Sequence, residues 1–184
     1  MTSQPLADPT DLPSTSPSET LQAVVETPRG SRNKYAYDHD LHTLVLKKVL
    51  PPGLFFPFDF GFFPSTLAPD GDPIDVLILM DEPAVPGCLV EVRLIGAITG
   101  EDLKPEGPAR NDRLLAVAET SLLYAHLHRA ADLPEVAQNS LRHFFETYPT
   151  LLSEQTYRVL DIAGPDTARH LLRDAQKRVH STRG

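Results

Sequence analysis

The sequence has a single cysteine, fewer basic than acidic residues and no long apolar run. Cys88 has no second cysteine to pair with, so an intrachain disulfide is excluded and a reducing cytoplasm is the expected compartment. The 17 Lys and Arg residues are outnumbered by 25 Asp and Glu residues, and the net charge of −8 argues against a nucleic-acid surface, which needs a basic patch. No apolar stretch approaches the length of a membrane span, so neither a nucleic acid nor a membrane is an expected partner.

Residues 1–20 also lack Lys and Arg, and they contain four Pro, four Ser and four Thr. A signal peptide needs a basic start and an apolar stretch, and neither is present. We expect this segment to be a disordered tail. Residues 21–184 are numerous enough for one domain with a sizeable core, and the 41% hydrophobic content of the chain is typical of a soluble globular protein.

The most informative segment is acidic and precedes a predicted buried strand. Residues 70–75 read Asp-Gly-Asp-Pro-Ile-Asp, and the apolar run 76–80 follows directly. Gly71 permits a tight turn and Pro73 stiffens it, so three carboxylates are presented at the start of a strand. Carboxylates this close repel one another, and a divalent cation is their natural partner. Hard oxygen ligands without nearby Cys or paired His suit Mg²⁺ or Mn²⁺ better than Zn²⁺.

Two other interpretations compete for this acidic segment. An EF-hand loop also begins with Asp-x-Asp, but it needs a ligand at its fifth position and Gly at its sixth, where this chain has Ile74 and Asp75. The EF-hand is therefore excluded. A plain polar turn of Asp and Gly between two strands remains open from these residues alone.

Short apolar segments separated by turns predict a mixed or antiparallel barrel rather than a βαβ sheet. A polar loop is predicted over Thr99–Arg110. Two late helices are predicted, one capped by Asp132 and stopped by Pro149, and one that begins near Pro165. The predicted strands cover residues 21–26, 34–37, 43–50, 76–80, 88–96, 113–118 and 156–162.

The chain resembles the family I soluble inorganic pyrophosphatases, because residues 70–77 are similar to that family's D-G-D-P-x-D-V-L signature. The resemblance covers roughly residues 21–175 and implies an α+β fold, an OB-like five-stranded mixed β-barrel with flanking C-terminal helices. It also implies an enzyme that is often a homo-hexamer in bacteria and hydrolyses pyrophosphate with Mg²⁺. Supporting matches, in the same order as in the family, are Val25-Glu26, Pro28, Lys34-Tyr35, Phe56-Pro57, Phe60-Gly61, Pro86-Gly87, Gly96, residues 114–117, residues 132–135 and residues 143–148.

The resemblance also implies roles for individual residues. Asp72 is the group that orients or deprotonates the attacking water, and Glu26 lines the site. The other implied site residues are the metal ligands Asp70, Asp75 and Asp102 and the phosphate-binding residues Lys34, Lys48, Arg113 and Tyr148.

Several positions depart from the family pattern. Ala36 stands where the family has a Glu, and two family tyrosines are Phe56 and Phe60, which offer no hydroxyl to phosphate. Lys48 replaces an Arg and so loses bidentate geometry, and Pro149 replaces a Lys. Each lost hydrogen bond to phosphate removes roughly 1.5–3 kcal/mol, which predicts a weakened or retuned hydrolase rather than an inactive one.

One metal ligand has two candidates in the sequence. The family's D-x-K motif aligns with Asn111-Asp112-Arg113, and on a strand the same-face neighbour of Arg113 is Asn111, whose side chain carries no charge. Asp112 serves as the ligand only if the preceding loop shifts by one residue. We place Asp112 among the predicted ligands and Asn111 among the residues that line the site.

Three functions are compatible with these residues. The first is a Mg²⁺-dependent inorganic pyrophosphatase, in which a metal-activated water splits pyrophosphate into two phosphates. The second is a catalytically weakened paralogue that binds metal–phosphate species or serves as an oligomeric interaction module. The third is hydrolysis of a different phosphoanhydride in a pocket lined by Phe56 and Phe60, although those rings are also compatible with an ordinary core.

Overall fold

The computed structural model describes residues 8–153 and 156–182. The strands are β1 Leu21–Thr27, β2 Asn33–Asp38, β3 Thr43–Val49, β4 Asp59–Phe62, β5 Asp75–Leu79, β6 Leu89–Lys104, β7 Gly107–Arg110, β8 Arg113–Ala118 and β9 Thr156–Ala163, and the helices are α1 Glu135–Ser153 and α2 Pro165–Thr182. Short 3-10 turns lie at Pro9–Asp11 and Ala130–Asp132.

Five of the strands close into a barrel. The order is β1-β4-β5-β8-β6, and β6 pairs back onto β1 to complete the ring. The β5–β8 pair is parallel and the other pairs are antiparallel. The predicted five-stranded mixed barrel with C-terminal helices is therefore confirmed. β7 and β9 extend the sheet from β6, and β2 and β3 form a separate hairpin.

Apolar side chains fill two clusters around the barrel wall. One cluster joins Phe60 and Leu77 to Phe145 of α1, and the other packs the opposite wall against Leu172 of α2. Gly61 is required where β4 meets β1, because a Cβ atom there would lie 1.8 Å from the carbonyl oxygen of Val24. Burial of these side chains is the main stabilising contribution to the fold.

The prediction of a polar loop over Thr99–Arg110 was wrong. β6 continues to Lys104, turns at Gly107, which has a positive φ of 123°, and returns as β7. This hairpin is supported from the other side by β9, which pairs with β6 from Ala97 to Leu103. The segment is polar because it extends beyond the barrel core, and sequence periodicity does not detect an extension of that kind.

Both predicted ends of α1 were also wrong. The carboxylate of Asp132 accepts hydrogen bonds from the backbone N–H groups of His128 and Arg129, so it closes the preceding 3-10 turn rather than capping α1. The helix begins at Glu135 and passes through Pro149 to Ser153. Proline lacks the N–H donor of one helical hydrogen bond, and burial of Tyr148 and neighbouring apolar residues offsets this loss. The predicted start of α2 near Pro165 is confirmed.

Residues 8–20 differ from the expected disordered tail. The 3-10 turn at Pro9–Asp11 is followed by a β-bridge between Thr15 and Leu21, and Ser14 and Ser16 are buried. Residues 1–7 of the predicted tail lie outside the described residues, and the boundary at residue 20 stays a prediction. Neither helix in the described part of the chain has the length and apolar character needed to cross a membrane.

Candidate active site

A cavity of about 240 Å³ opens at the rim of the barrel, and we call it the mouth cavity. It lies where β1, the β2–β3 hairpin, β4 and the acidic segment before β5 meet. Most of its lining belongs to residues for which the sequence predicted a role or a departure from the family. The lining residues are Thr10, Glu26, Lys34, Ala36, Tyr37, His39, Lys47, Phe60, Phe62, Asp72, Pro73 and Asp75.

Glu26 is held on β1 beneath the β2–β3 hairpin. Its Oε1 accepts a hydrogen bond of 2.7 Å from the backbone N–H of Tyr37, and only 7% of the residue is exposed. Burial raises the pKa of this carboxyl to about 7, and the nearby charges of Asp75 and Asp72 add to the increase. Glu26 can therefore hold or release a proton near neutral pH.

The acidic segment is a tight turn that is fixed at its buried end. Gly71 has a positive φ of 97°, and the backbone N–H of Asp72 lies 3.3 Å from a carboxylate oxygen of Asp70. Ile74 is buried and donates its N–H to the hydroxyl of Thr66 over 3.0 Å. The carboxylates of Asp70 and Asp72 are exposed, whereas Asp75 is partly buried at the first position of β5.

The three carboxylates of this segment interact electrostatically. Burial raises the pKa of Asp75, and the negative charges of Asp70 and Asp72 act in the same direction, while Arg113 and Lys34 oppose the increase. These groups therefore share one electrostatic environment at the rim of the barrel. The observation supports the prediction that the acidic segment and the basic side chains face the same space.

The side chain of Lys34 packs against two aromatic rings at the mouth cavity. Its Nζ lies 5.4 Å from the ring centroid of Phe60 and 6.0 Å from that of Tyr148, both of which are buried. Burial alone would lower the pKa of Lys34, but the interactions with Tyr148, Asp75 and Glu26 outweigh it and raise the pKa. Lys34 is therefore a persistent cation at the position predicted to bind phosphate.

Arg113 is the second buried cation of the site. Its guanidinium carbon lies 4.7 Å from the ring centroid of Phe145 and 4.3 Å from that of Tyr157, and its Nε lies 3.6 Å from Oδ2 of Asp75. Nε has no hydrogen-bond partner among the described residues. Buried donors are rarely left unpaired, and the carboxylate of Asp75 is the charged partner recorded for this nitrogen.

The register at the start of β8 brings Asn111 together with Asp102. Nδ2 of Asn111 lies 2.9 Å from Oδ2 of Asp102, while Oδ1 of Asp112 accepts hydrogen bonds from the backbone N–H of Gly100 and from Arg110. The structure therefore favours Asn111 over the predicted Asp112 as the neighbour of Asp102. β8 pairs with β6 from Arg113 and with β5 from Leu114 onward.

The carboxylates do not form a closed metal-binding cage. Within residues 8–153 and 156–182, no three Asp, Glu, His or Cys side chains are arranged as a group that could hold a metal ion. The donor chemistry nevertheless fits a hard divalent cation, because Asp70, Asp72 and Asp75 supply carboxylate oxygens within mutual electrostatic range.

Five residues that line the mouth cavity were missed in the sequence: Thr10, Tyr37, His39, Lys47 and Phe62. Lys48, the predicted phosphate-binding residue, lies opposite Lys34 in the hairpin, but the register shifts between Lys34 and Tyr35. Lys47, at this irregularity, lines the cavity, and its Nζ lies 3.1 Å from Oδ2 of Asp38. Strand alternation cannot reveal a bulge of this kind.

The two substituted tyrosine positions have different environments. Both rings belong to the apolar cluster next to α1 and their centroids lie 5.6 Å apart, but of the two only Phe60 also lines the mouth cavity. The Phe56 ring packs 5.3 Å from Phe144 and 6.1 Å from Tyr148. Phe56 therefore belongs to the core, as one of the two sequence interpretations held. Ala36 lines the cavity, so the missing carboxylate leaves an apolar wall beside Lys34.

Comparisons with known proteins agree with this geometry. The model of a protein family described as inorganic pyrophosphatase matches residues 23–180. An inorganic pyrophosphatase from Thermus thermophilus is 44% identical over 133 residues, which are 72% of this chain and 74% of that protein. One from Methanosarcina acetivorans is 37% identical over 155 residues, covering 84% of this chain and 89% of that protein.

Solved structures give the same similarity in three dimensions. The crystal structure of inorganic pyrophosphatase from Thermus thermophilus superposes with a TM-score of 0.86 at 37% identity and covers 95% of this chain and 99% of that chain. The inorganic pyrophosphatase from Helicobacter pylori superposes with a TM-score of 0.83 at 29% identity and covers 92% of this chain and 98% of that chain.

Proposed function

Since the chain belongs to the inorganic pyrophosphatase family, we propose that it hydrolyses inorganic pyrophosphate to two phosphates. The observation that carries this proposal is the lining of the mouth cavity, where Asp72 and Asp75 lie with Lys34 and Glu26. Pyrophosphate is a small polyanion, and electrostatic positioning is most of what a protein contributes to its hydrolysis.

The proposed site residues, some lining the mouth cavity and some beside it, divide the chemistry between them. Lys34 and Arg113 offset the negative charge of the two phosphoryl groups, and Tyr148 and Lys48 complete the predicted phosphate-binding set. Asp72 orients the attacking water and accepts its proton, because it is the exposed carboxylate that lines the cavity. The water oxygen bonds to one phosphorus, the bond from that phosphorus to the bridging oxygen breaks, and two phosphates leave.

Asp70, Asp75 and Asp102, with Asn111 as the neighbour of Asp102, are the proposed cation ligands. We propose Mg²⁺ as the cation, with Mn²⁺ as the alternative, because the donors are hard oxygens. A divalent cation held there supplies charge neutralisation and lowers the pKa of a coordinated water. The assignment of these ligands, and the exclusion of Asp112 from them, are parts of the proposal.

The departures from the family lie mainly on the substrate-binding side of the site. Ala36 and Phe60 line the cavity without offering a hydrogen bond, whereas the acidic segment retains its three carboxylates. A lower affinity for pyrophosphate than that of a tyrosine-bearing site is therefore expected. The comparisons offer no support for the alternative of a non-catalytic paralogue, and the relatives described above are named as pyrophosphatases.

Phosphate release from pyrophosphate in the presence of Mg²⁺ tests the proposal directly. Asp72→Asn keeps the size of the side chain and removes its ability to accept a proton, so kcat is expected to fall at least about 100-fold. Asp166→Asn is the matched control, because Asp166 is 97% exposed on α2 and is expected to leave the rate unchanged. Equal rates for wild type and Asp72→Asn, or no release by wild type, would contradict the proposal.

A homo-oligomer, a hexamer by family resemblance, and a cytoplasmic location are the remaining proposals. Exposed apolar side chains support association, since Leu122 and Val136 are 84% and 73% exposed. Sedimentation velocity at two protein concentrations tests the oligomeric state, and a monomer at both would contradict it.

A further inference from the structure

The mouth cavity has a neighbour, and the two share part of their walls. The second cavity, called here the side cavity, has a volume of about 220 Å³. Thr10, His39 and Pro73 line both cavities and therefore form the partition between them. The remaining lining of the side cavity comes from Ser65, Thr66, Leu67, Gly71 and Val179.

The partition is closed by the N-terminal segment Asp8–Leu12. The hydroxyl of Thr10 lies 3.5 Å from Nδ1 of His39, which belongs to the turn between β2 and β3. Within the segment, Oδ1 of Asp8 accepts hydrogen bonds from the backbone N–H and the hydroxyl of Thr10 over 2.8 and 2.7 Å. Oδ2 of Asp8 lies 3.6 Å from His39 and 3.9 Å from His42.

A second anchor holds the same segment from the barrel side. The backbone N–H of Ser65 donates to the carbonyl oxygen of Thr10 over 2.7 Å, and its hydroxyl donates to that of Leu12 over 2.8 Å. Ser65 has a positive φ of 52°, which is uncommon for a residue other than glycine. These anchors are a few hydrogen bonds at a partly exposed position, so the segment can be released without unfolding the barrel.

The chemistry of the side cavity differs from that of the mouth cavity. None of its lining residues is a lysine or an arginine, and Leu67, Pro73 and Val179 give it apolar walls beside the hydroxyls of Ser65 and Thr66. Such a lining suits a neutral organic group better than a further phosphate. The mouth cavity, with Lys34 and its carboxylates, suits the phosphoryl group that is attacked.

We propose that Asp8–Leu12 is a specificity lid, which limits the mouth cavity to inorganic pyrophosphate and, when released, admits phosphoanhydrides that bear an organic group. The proposal rests on the proposed function of the same site. With ADP as the probe, water attacks the terminal phosphorus and the bond to the bridging oxygen breaks. The products are AMP, inorganic phosphate and a proton. The adenosine group passes Thr10 into the side cavity.

The test is a change in substrate preference in the full-length chain. Asp8→Ala combined with Ser65→Ala removes the ion pairs of Asp8 with His39 and His42 and the hydrogen bond that the Ser65 hydroxyl donates to Leu12. Together such contacts correspond to about a tenfold change, so the ratio of kcat/KM for ADP to that for pyrophosphate is expected to rise about tenfold. Asp166→Ala combined with Ser140→Ala is the matched control, because both residues are exposed on helices and are expected to leave the ratio unchanged.

Amide hydrogen exchange at position 65 reports opening of the lid independently of catalysis, because this backbone N–H donates to the carbonyl oxygen of Thr10 and is kept in the variant. Faster exchange in the Asp8→Ala, Ser65→Ala variant together with the raised ratio would support the lid. Unchanged exchange, an unchanged ratio, or hydrolysis of ADP by wild type at the rate of pyrophosphate would overturn it. If wild type releases no phosphate from pyrophosphate, the proposed function fails, but the lid can still be tested by binding. Calorimetry then gives the ratio of the dissociation constants of methylene-bridged ADP and methylene diphosphonate, which replaces the ratio of kcat/KM values.

Discussion

Arg113 and Asp75 face each other across two parallel strands, with Nε of the arginine 3.6 Å from Oδ2 of the aspartate. The β5–β8 register pairs Val76 with Leu114, so the residue that precedes each of them lies at the same rim of the barrel. Through this contact the acidic segment joins the side of the site that contains Asp102, whose charge also interacts with Arg113. The ion pair is therefore the link between the two halves of the candidate site.

Removing the charge of Arg113 is expected to destabilise the fold. Arg113 is only 5% exposed, so Arg113→Met leaves Asp75 partly buried without its opposite charge, and the free energy of unfolding is expected to fall by about 3 kcal/mol. Adding Asp75→Asn is expected to restore part of this loss. Urea denaturation at pH 7 measures both changes. Arg169→Met serves as the control, because Arg169 is 50% exposed and its partner Asp166 is 97% exposed, and equal losses in the two single variants would contradict the prediction.

Glu26 is expected to make stability depend on pH. Its pKa is about 7 in the folded chain against 4.5 as the ordinary value, so the folded state binds this proton more tightly than the unfolded state. The stabilisation is present below pH 4.5 and is lost as pH rises through 7, which amounts to about 3 kcal/mol. Glu26→Gln cannot titrate, so wild type is expected to lose that much more stability than the variant between pH 4.5 and pH 8.

Urea denaturation without divalent cations, at intervals of one pH unit, measures this difference. Subtracting the Glu26→Gln curve from that of wild type removes the contribution of the other carboxyl groups. Parallel curves across the whole range would show that Glu26 has an ordinary pKa in the folded chain.

Adding a hydroxyl group is expected to improve catalysis at Phe60 but not at Phe56. Phe60→Tyr adds a donor beside Lys34, and one hydrogen bond to a charged phosphate corresponds to about a tenfold gain in kcat/KM for pyrophosphate. Phe56→Tyr is the matched variant, because the same hydroxyl would enter the apolar cluster with Phe144. That variant is expected to lose about 1–2 kcal/mol of stability without a gain in rate. Equal kinetics for the two variants would contradict the assignment of Phe60 to the cavity.

Particular residues show what the sequence could and could not predict. The strand at Asp75 and the two late helices were predictable because burial imposes a regular period on the apolar side chains. Long-range pairing produces no regular period in the sequence. The polar end of β6 is a strand because β7 and β9 pair with it. Pro149 is tolerated in α1 because its neighbours are buried. Lys47 and Thr10 reach the cavity through a bulge and a distant segment, neither of which has a local signal.

Replacing Asn111 by aspartate is expected to make the stability of the fold depend on a divalent cation. Its Nδ2 lies 2.9 Å from Oδ2 of Asp102, so Asn111→Asp replaces a hydrogen bond with two like charges in contact. Without a divalent cation the variant is expected to be less stable than wild type by about 1–3 kcal/mol. An added carboxylate strengthens an oxygen site for Mg²⁺, and binding to the folded state alone adds stability with cation concentration.

Thermal unfolding with and without excess Mg²⁺ measures this coupling. The Mg²⁺-induced rise in Tm is expected to be larger for Asn111→Asp than for wild type. Asp112→Asn is the informative comparison, because Asp112 is engaged by Gly100 and Arg110 rather than by Asp102. That variant is expected to lower Tm equally with and without Mg²⁺, since it removes structural hydrogen bonds. If Asp112→Asn abolished the Mg²⁺ effect instead, Asp112 would be the ligand and the favoured assignment of Asn111 would be wrong.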